Sequence, residues 1–503
     1  MTEYTDSLKA NHESAIENAT EDVTFGIVID GETDQAAAKD AFQPTDPAIA
    51  MPITDVARGR EADVDAAVEA ATAAYEGEWG ETTPMERGDI IREWTAVLRD
   101  HLDDLALLET LEVGKPLSAA RADIETGLDF FEYYAAAAVG EEGSVPPVDD
   151  DSFAYVNREP YGVTGQILPW NYPILLMGWK VGAALAAGNT SVTKPAEQAP
   201  LAVIRAAQLA QGILPDGVLN VVPGFGDEAG ASVASHDGIQ KVSFTGSVPV
   251  GQEIMRAASA DITPVTLELG GKNPFVVFPD ADVEAAARTA AVAGLYNNGQ
   301  SCDSGTRLLV HQDLKEEFLE HYLDAVEART IGDPLQGANQ GPLCYADHRE
   351  KVEKYVELGR EEGATILTGG NRPENDELND GYYFEPTVFG DVDPEMRIAQ
   401  EEVFGPVQFV MEFSTYEEAI EVANDVTYGL TAGVFTQNAS RAHRAAADIA
   451  AGSIWVNQYF GTVPGTPFGG FKQSGIGREC GKEALTEYSQ SKSVHFALED
   501  PIL

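Results

Sequence analysis

The chain has 503 residues, 44% of them hydrophobic, enough to bury two or three cores and more than one ordinary core organises. Its 83 acidic residues against 32 basic ones leave a formal net charge of −51, which excludes nucleic acid and anionic membranes as partners, and no run of 18 apolar residues is present to span a bilayer. The acids alternate with periodic apolar positions, as in residues 63–76 and 282–292, so they read as a folded surface adapted to molar salt, where charge is screened beyond about 3 Å.

Residues 1–22 are acidic and polar and lack the basic start and apolar stretch of a secretory signal. From 24 to 60 an Asp30-Gly31 turn and Pro44, Pro47 and Pro52 predict short strands and turns. Helical periodicity covers residues 63–75, 84–111 and 117–138, and an acidic, proline-containing stretch at 140–151 leaves the core. After Tyr161 strand-like runs at 163–168, 190–193, 218–222 and 241–245 alternate with helical stretches at 173–187, 199–211, 228–235 and 250–258. That alternation predicts an α/β domain with a parallel sheet covered by helices. A second alternating region runs from Pro274 to Val456, with strands at 308–310, 407–409, 431–435 and 453–456, and residues 487–497 have β character suited to pairing with another chain.

The joint between the two regions carries the chemistry. Cys302 ends Asn298-Gly299-Gln300-Ser301-Cys302, loop residues that present a sulfur to a cleft. Glu268 lies upstream in the apolar, glycine-rich Leu267-Glu268-Leu269-Gly270-Gly271-Lys272. A thiol and an embedded carboxylate are the parts of covalent cysteine catalysis, although a single cysteine is also commonly a small buried hydrophobe. Cys344 and Cys480 are the only others; three cysteines make no disulfide framework and fit a reducing cytoplasm. Eight scattered histidines, none paired at ligand spacing, predict no metal site.

Four further segments are ambiguous singly. Phe244-Thr245-Gly246-Ser247 follows a strand and opens a helix, where phosphate is attracted. Gly224-Phe225-Gly226 has the wrong spacing for a dinucleotide fingerprint and reads as a loop near the cofactor. In Pro169-Trp170-Asn171, Asn171 is an oxyanion donor or a helix cap. Lys194 and Glu197, after another strand, hold ribose hydroxyls or lie on the surface.

Together with Glu401-Glu402-Val403-Phe404-Gly405-Pro406 and Pro467-Phe468-Gly469-Gly470, these ordered segments resemble the aldehyde dehydrogenase superfamily from about Phe25 to the C-terminus. The resemblance implies a Rossmann-like NAD-binding domain (1–139 and 162–272), an α/β catalytic domain (273–476) and a β-arm with C-terminal tail for oligomerisation (140–161 and 477–503). It implies Cys302 as nucleophile, Asn171 and the Cys302 backbone N–H as oxyanion donors, and Glu268 as the base that activates water. It places Lys194 and Glu197 on the adenosine ribose, Gly246 and Ser247 at the pyrophosphate, Glu402 on the nicotinamide ribose, and Phe404 and Trp170 beside the cofactor. NAD is then the expected cofactor, with NADP a weaker alternative, and a cytoplasmic homodimer or homotetramer the expected assembly.

Motif alignment puts Tyr172, Trp179, Tyr296 and Phe468 in the substrate tunnel, either an apolar pocket for a general aldehyde or a cage for a quaternary ammonium. Trp170-Asn171-Tyr172-Pro173, Trp179-Lys180 and Gly305-Thr306-Arg307 look similar to betaine aldehyde dehydrogenases. Two departures from the family pattern stand out: Asp303 follows the nucleophile and raises its pKa, and Ser301 makes the pocket floor more polar. A thiol hydrolase explains Cys302 and Glu268 but not Lys194, Ser247 or Glu402; a non-catalytic protein explains neither carboxylate nor thiol, and Glu268 argues against a CoA-acylating enzyme.

Overall fold

The computed structural model describes residues 7–498, so the first six residues of the acidic start and the last five of the tail lie outside it. Asp30 (φ 52°) and Gly31 (φ 74°) form a two-residue turn joining Ile27–Ile29 to Glu32–Asp34, with the positive φ pair that such hairpins require. The first sheet runs in the order Glu32–Asp34, Ile27–Ile29, Leu219–Val221, Thr190–Lys194, Val163–Ile167, Lys241–Thr245, Val265–Glu268, Gly475–Ile476. The five central strands are parallel and buried on both faces, so they show no apolar–polar alternation, and the polar side chains among them, such as Thr164, Gln166 and Ser191, hydrogen-bond one another. Val265–Glu268, not anticipated from the sequence, pairs in register with Lys241–Thr245 and sets Glu268 opposite Thr245 at the end of its strand.

The second sheet runs Thr365–Thr368, Thr387–Gly390, Val407–Phe413, Arg307–His311, Pro274–Val277, Thr431–Phe435, Ser453–Val456; only the Thr365–Thr368 edge is antiparallel. The molecule is therefore α/β with two helix-covered sheets. Gly475–Ile476 crosses back to the first sheet, antiparallel to Val265–Glu268, and ties the two together beside Glu268. Ser489–Ala497 pairs along its whole length with Ser152–Pro160 of the same chain as a two-stranded antiparallel arm, with Phe153 and Phe496 about half exposed and 6.0 Å apart.

Two helical expectations change and one unanticipated helix appears. The single helix expected at 84–111 is two, Pro84–Asp100 and Leu102–Val113, separated where His101 leaves helical geometry (φ −103°, ψ 18°). The first keeps a solvated face and opens on a Thr83–Glu86 capping box, whereas the second is buried nearly all round, so the axis has to turn inward. The stretch expected at 228–235 opens with a wide turn over Gly226–Gly230 before Ala231–Ser235. Leu8–Thr20 is a helix that no apolar stripe announced, because its buried face includes Asn11 and His12. Buried His12 lies 2.6 Å from Asp46 and 3.1 Å from Asp333, clipping this helix to two distant segments. Burial alone lowers the imidazole pKa, but the bonds and charges of Asp333 and Asp46 outweigh it and push the value up to about 9. No helix among the described residues is long and apolar enough to cross a membrane.

Candidate active site

Asn171, Lys194, Gly246 and Glu268 all sit at or just beyond the C-terminal ends of parallel strands of the first sheet, where open α/β sheets place their ligands. Cys302 enters from the loop that precedes Arg307–His311 of the second sheet. That loop is built on three successive left-handed residues, Asn297 (φ 47°), Asn298 (φ 58°) and Gly299 (φ 67°). Asparagine tolerates this region and glycine is free in it; a Cβ on Gly299 would also fall 2.1 Å from the Gly405 carbonyl.

Side-chain amides then fix the loop. Asn298 donates to the Gly341 and Pro342 carbonyls, Asn297 to the Asn171 carbonyl at 3.1 Å, and Asn171 to the Gln300 carbonyl at 2.9 Å. Asn171 thus keeps a second amide N–H. Asn273 donates to the Cys302 and Ser304 carbonyls at 2.8 and 2.9 Å, and Gly271 packs so closely on the Cys302 carbonyl that a Cβ would meet it at 2.4 Å. The result is a half-buried thiol on a rigid backbone.

Burial pushes the Cys302 pKa well above that of a free thiol, and the charges of Asp303, Glu402 and Glu268 push the same way, while its own backbone N–H lowers it. Glu268 is buried, and neither of its oxygens meets a protein hydrogen-bond partner. Its carboxylate rests on Gly469, where a Cβ would lie 2.8 Å away, so only glycine leaves it room. Burial, then Glu479, holds the Glu268 pKa well above the usual range, with Lys180 and Arg478 opposing. Asp303 accepts a hydrogen bond from the Ser301 hydroxyl, and burial raises its pKa to about 6.

Glu402 accepts the Gly271 N–H at 2.9 Å, with Gly270 bare against its other oxygen. Phe404 is left-handed (φ 63°), a strained state for an aromatic residue, and its carbonyl accepts from His348 at 2.7 Å. Burial keeps that imidazole neutral, with a pKa of about 3. Trp170 stands edge-on to Phe404, Tyr345 and His348 at 5.3–5.6 Å. Lys194 and Glu197 pair with each other at 2.9 Å. Ser247 is the N-terminal boundary of helix Val248–Ala258, but its exposed hydroxyl makes no capping bond.

Trp179 contacts Phe468 at 5.1 Å and Phe130 at 5.6 Å. Tyr172 and Tyr296 are held differently. The buried Lys115 ammonium lies 4.2 Å from the Tyr172 ring centre and bonds Glu109 and Asp123, and Asp123 accepts the Tyr296 hydroxyl at 2.7 Å. Among the described residues, Trp179 and Phe468 are the only pair of the four expected rings in direct ring contact.

Sequence reasoning missed several residues of this site. Asn273, the Gln300 side chain, the Lys115 triad and the buried Lys180–Glu479 pair act through distant partners that spacing does not reveal. The Asn297-Asn298-Gly299 run was the available signal for the loop's left-handed backbone.

The chain matches the aldehyde dehydrogenase family model over residues 33–494. It is 42% identical over 474 residues to the betaine aldehyde dehydrogenase of Bacillus subtilis, covering 93% of this chain and 96% of that protein. It is likewise 42% identical over 481 residues to an aldehyde dehydrogenase of Emericella nidulans, covering 95% and 96%. Among solved structures, the betaine aldehyde dehydrogenase of Staphylococcus aureus in complex with NAD+ superposes with a TM-score of 0.95 at 39% identity, covering 98% of each chain. The NAD+ complex of an aldehyde dehydrogenase from Bacillus cereus gives 0.94 at 42% identity, covering 96% of this chain and 98% of that one.

Proposed function

This chain belongs to the aldehyde dehydrogenase family and oxidises an aldehyde to a carboxylic acid with NAD, and we propose that Cys302, Glu268 and Asn171 carry the reaction. The observation behind this is the unpartnered buried carboxylate of Glu268 together with the rigidly held Cys302, both at the joint of the two sheets. The Cys302 thiolate adds to the aldehyde carbon, and the free Asn171 N–H and the Cys302 backbone N–H hold the oxyanion of the thiohemiacetal. NAD, when bound, takes up the hydride. Glu268 then removes a proton from the water that hydrolyses the thioester on Cys302.

The residues present fit the cofactor. Glu402 offers a half-buried carboxylate to the nicotinamide ribose, the unengaged Ser247 hydroxyl at a helix N-terminus suits the pyrophosphate, and Lys194 with Glu197 suits the adenosine ribose. Phe404 and Trp170 form an aromatic wall beside it. We assign cofactor binding to residues 1–139 and 162–272, catalysis to 273–476, and assembly as a dimer or tetramer to 140–161 and 477–503. The test is absorbance of reduced nicotinamide with a simple aliphatic aldehyde; no NAD reduction with any of a panel of aldehydes would overturn the reading.

A second reading, betaine aldehyde or an aminoaldehyde as the specific substrate, is favoured by the Trp179–Phe468 ring pair and by the named relatives.

Cofactor preference follows from Glu197. Its carboxylate repels a 2′-phosphate, while the paired Lys194 tempers the repulsion, so kcat/KM is expected to be about tenfold or more higher with NAD than with NADP. Equal values would remove Glu197 from the ribose site.

The acidic surface leads to a salt requirement. Asp103, Asp237 and Glu417 are 84, 92 and 73% exposed, and a net charge of −51 repels across whole faces once salt is diluted and the Debye length reaches about 30 Å. Activity and oligomer size, followed by sedimentation, are expected to fall as potassium chloride is lowered from molar to about 0.01 M. An active oligomer that persists in dilute buffer would assign the acidity some other cause.

A further inference from the structure

The chemistry above gives Asp303 no task. Several other buried or half-buried carboxylates are answered by a cation or by backbone N–H groups. Glu109 and Asp123 pair with Lys115, Glu479 with Lys180 and Glu197 with Lys194, and Glu112 accepts the N–H groups of Leu201 and Ala202 at a helix start. Three carboxylates at the nucleophile also have no lysine, arginine or histidine at ion-pair distance among the described residues: Glu268 meets no hydrogen-bond partner, Glu402 accepts the Gly271 N–H, and Asp303 accepts the Ser301 hydroxyl. Glu268 and Glu402 have tasks in the reaction, which leaves Asp303 as a carboxylate with no cation.

Its position is built rather than incidental. The Tyr459 hydroxyl and Thr431 hydroxyl hold the Asp303 carbonyl at 2.9 and 3.3 Å, and Ser301 holds the carboxylate. Tyr172, on the expected pocket wall, reaches the Ser301 side chain, and both Tyr172 and Tyr459 feel the Asp303 charge. Lys115, over the Tyr172 ring, is already shared by two carboxylates. Asp303, half-buried and next to Cys302, therefore has a hydrogen bond from Ser301 but no cation to compensate its charge, and holding such a charge partly out of water is costly unless a partner arrives.

We propose that Asp303 is a specificity-determining residue: its carboxylate receives the positively charged end of an aldehyde bearing an ammonium or quaternary ammonium group, and turns away aldehydes bearing a carboxylate. This rests on aldehyde oxidation at Cys302 as stated above.

The experiment compares kcat/KM for betaine aldehyde, butyraldehyde and succinic semialdehyde in the parent enzyme, Asp303→Asn and Asp303→Ser. The parent is expected to favour the cationic over the anionic aldehyde by about a hundredfold, and each variant to shrink that ratio by about tenfold or more. Loss of the charge also eases ionisation of the Cys302 thiol, but that moves all three substrates together and cancels in the ratio. A ratio unchanged within about twofold in both variants overturns the role of Asp303 while leaving aldehyde oxidation standing. A parent that oxidises none of the three overturns the activity itself. Should neither variant fold, the parent decides alone: a kcat/KM for succinic semialdehyde equal to or above that for betaine aldehyde overturns the proposal, and the reverse supports it.

Discussion

Cys302→Ala is expected to lower aldehyde oxidation by about a thousandfold or more while leaving NAD binding intact. The covalent thiohemiacetal and thioester both form on this sulfur, and neither Cys344 nor Cys480 can replace it, because both are fully buried. The backbone that carries the sulfur is held by groups other than the sulfur: the Asn273 side chain grips the Cys302 carbonyl, and the Asn297, Asn298 and Gln300 amides grip the loop before it. Removing one sulfur atom therefore leaves the fold and the cofactor wall of Trp170 and Phe404 in place. Quenching of Trp170 fluorescence by NAD reads binding, and absorbance of the reduced nicotinamide reads turnover. Turnover within about tenfold of the parent would remove Cys302 from the chemistry, and loss of NAD binding would show that the variant damaged the site rather than the reaction.

The parallel strands of the first sheet were legible because short runs rich in β-branched residues alternate with helical stretches, as at Val163–Ile167 and Lys241–Thr245, even though Gln166, Lys241 and Ser243 are buried within them. Val265–Glu268 escaped because it is four residues long and no helix follows it before Pro274–Val277, so it falls outside the strand–helix alternation. Leu8–Thr20 escaped for another reason: it buries a histidine and an asparagine, and the aspartates that satisfy His12 stand 34 and 321 residues away. The same limit applied at the site. Cys302, Glu268, Glu402 and Asn171 carry recognisable local motifs, but Asn273 and Lys115 work through partners that only the fold brings near. The break at His101 is a tertiary effect, since both flanking segments are helical in pattern and only the burial of Leu102–Val113 turns the axis.

Glu268→Gln is expected to give one rapid burst of reduced nicotinamide, about one equivalent per site, followed by steady turnover about 10²–10⁴-fold slower than the parent. Hydride leaves the thiohemiacetal before water attacks the thioester, so losing the base spares the first half of the reaction and stalls the second. The structure sharpens the expectation in two ways. Neither Glu268 oxygen is engaged by the protein, so the amide breaks no existing bond and the nearly isosteric side chain still fits against Gly469. Glu268 also raises the pKa of the Cys302 thiol, so removing its charge makes the thiolate easier to form and the burst faster at a given pH, not slower. The pH dependence provides a third check. Burial and Glu479 hold the Glu268 pKa well above that of a free glutamate, so in the parent the base form, and with it thioester hydrolysis, is gained as pH rises through that elevated value and lost below it. The Gln variant should lack this rising limb in its slow phase while the burst keeps the limb set by the thiol. Steady turnover equal to the parent's, with no burst, would mean that a group other than Glu268 activates the water.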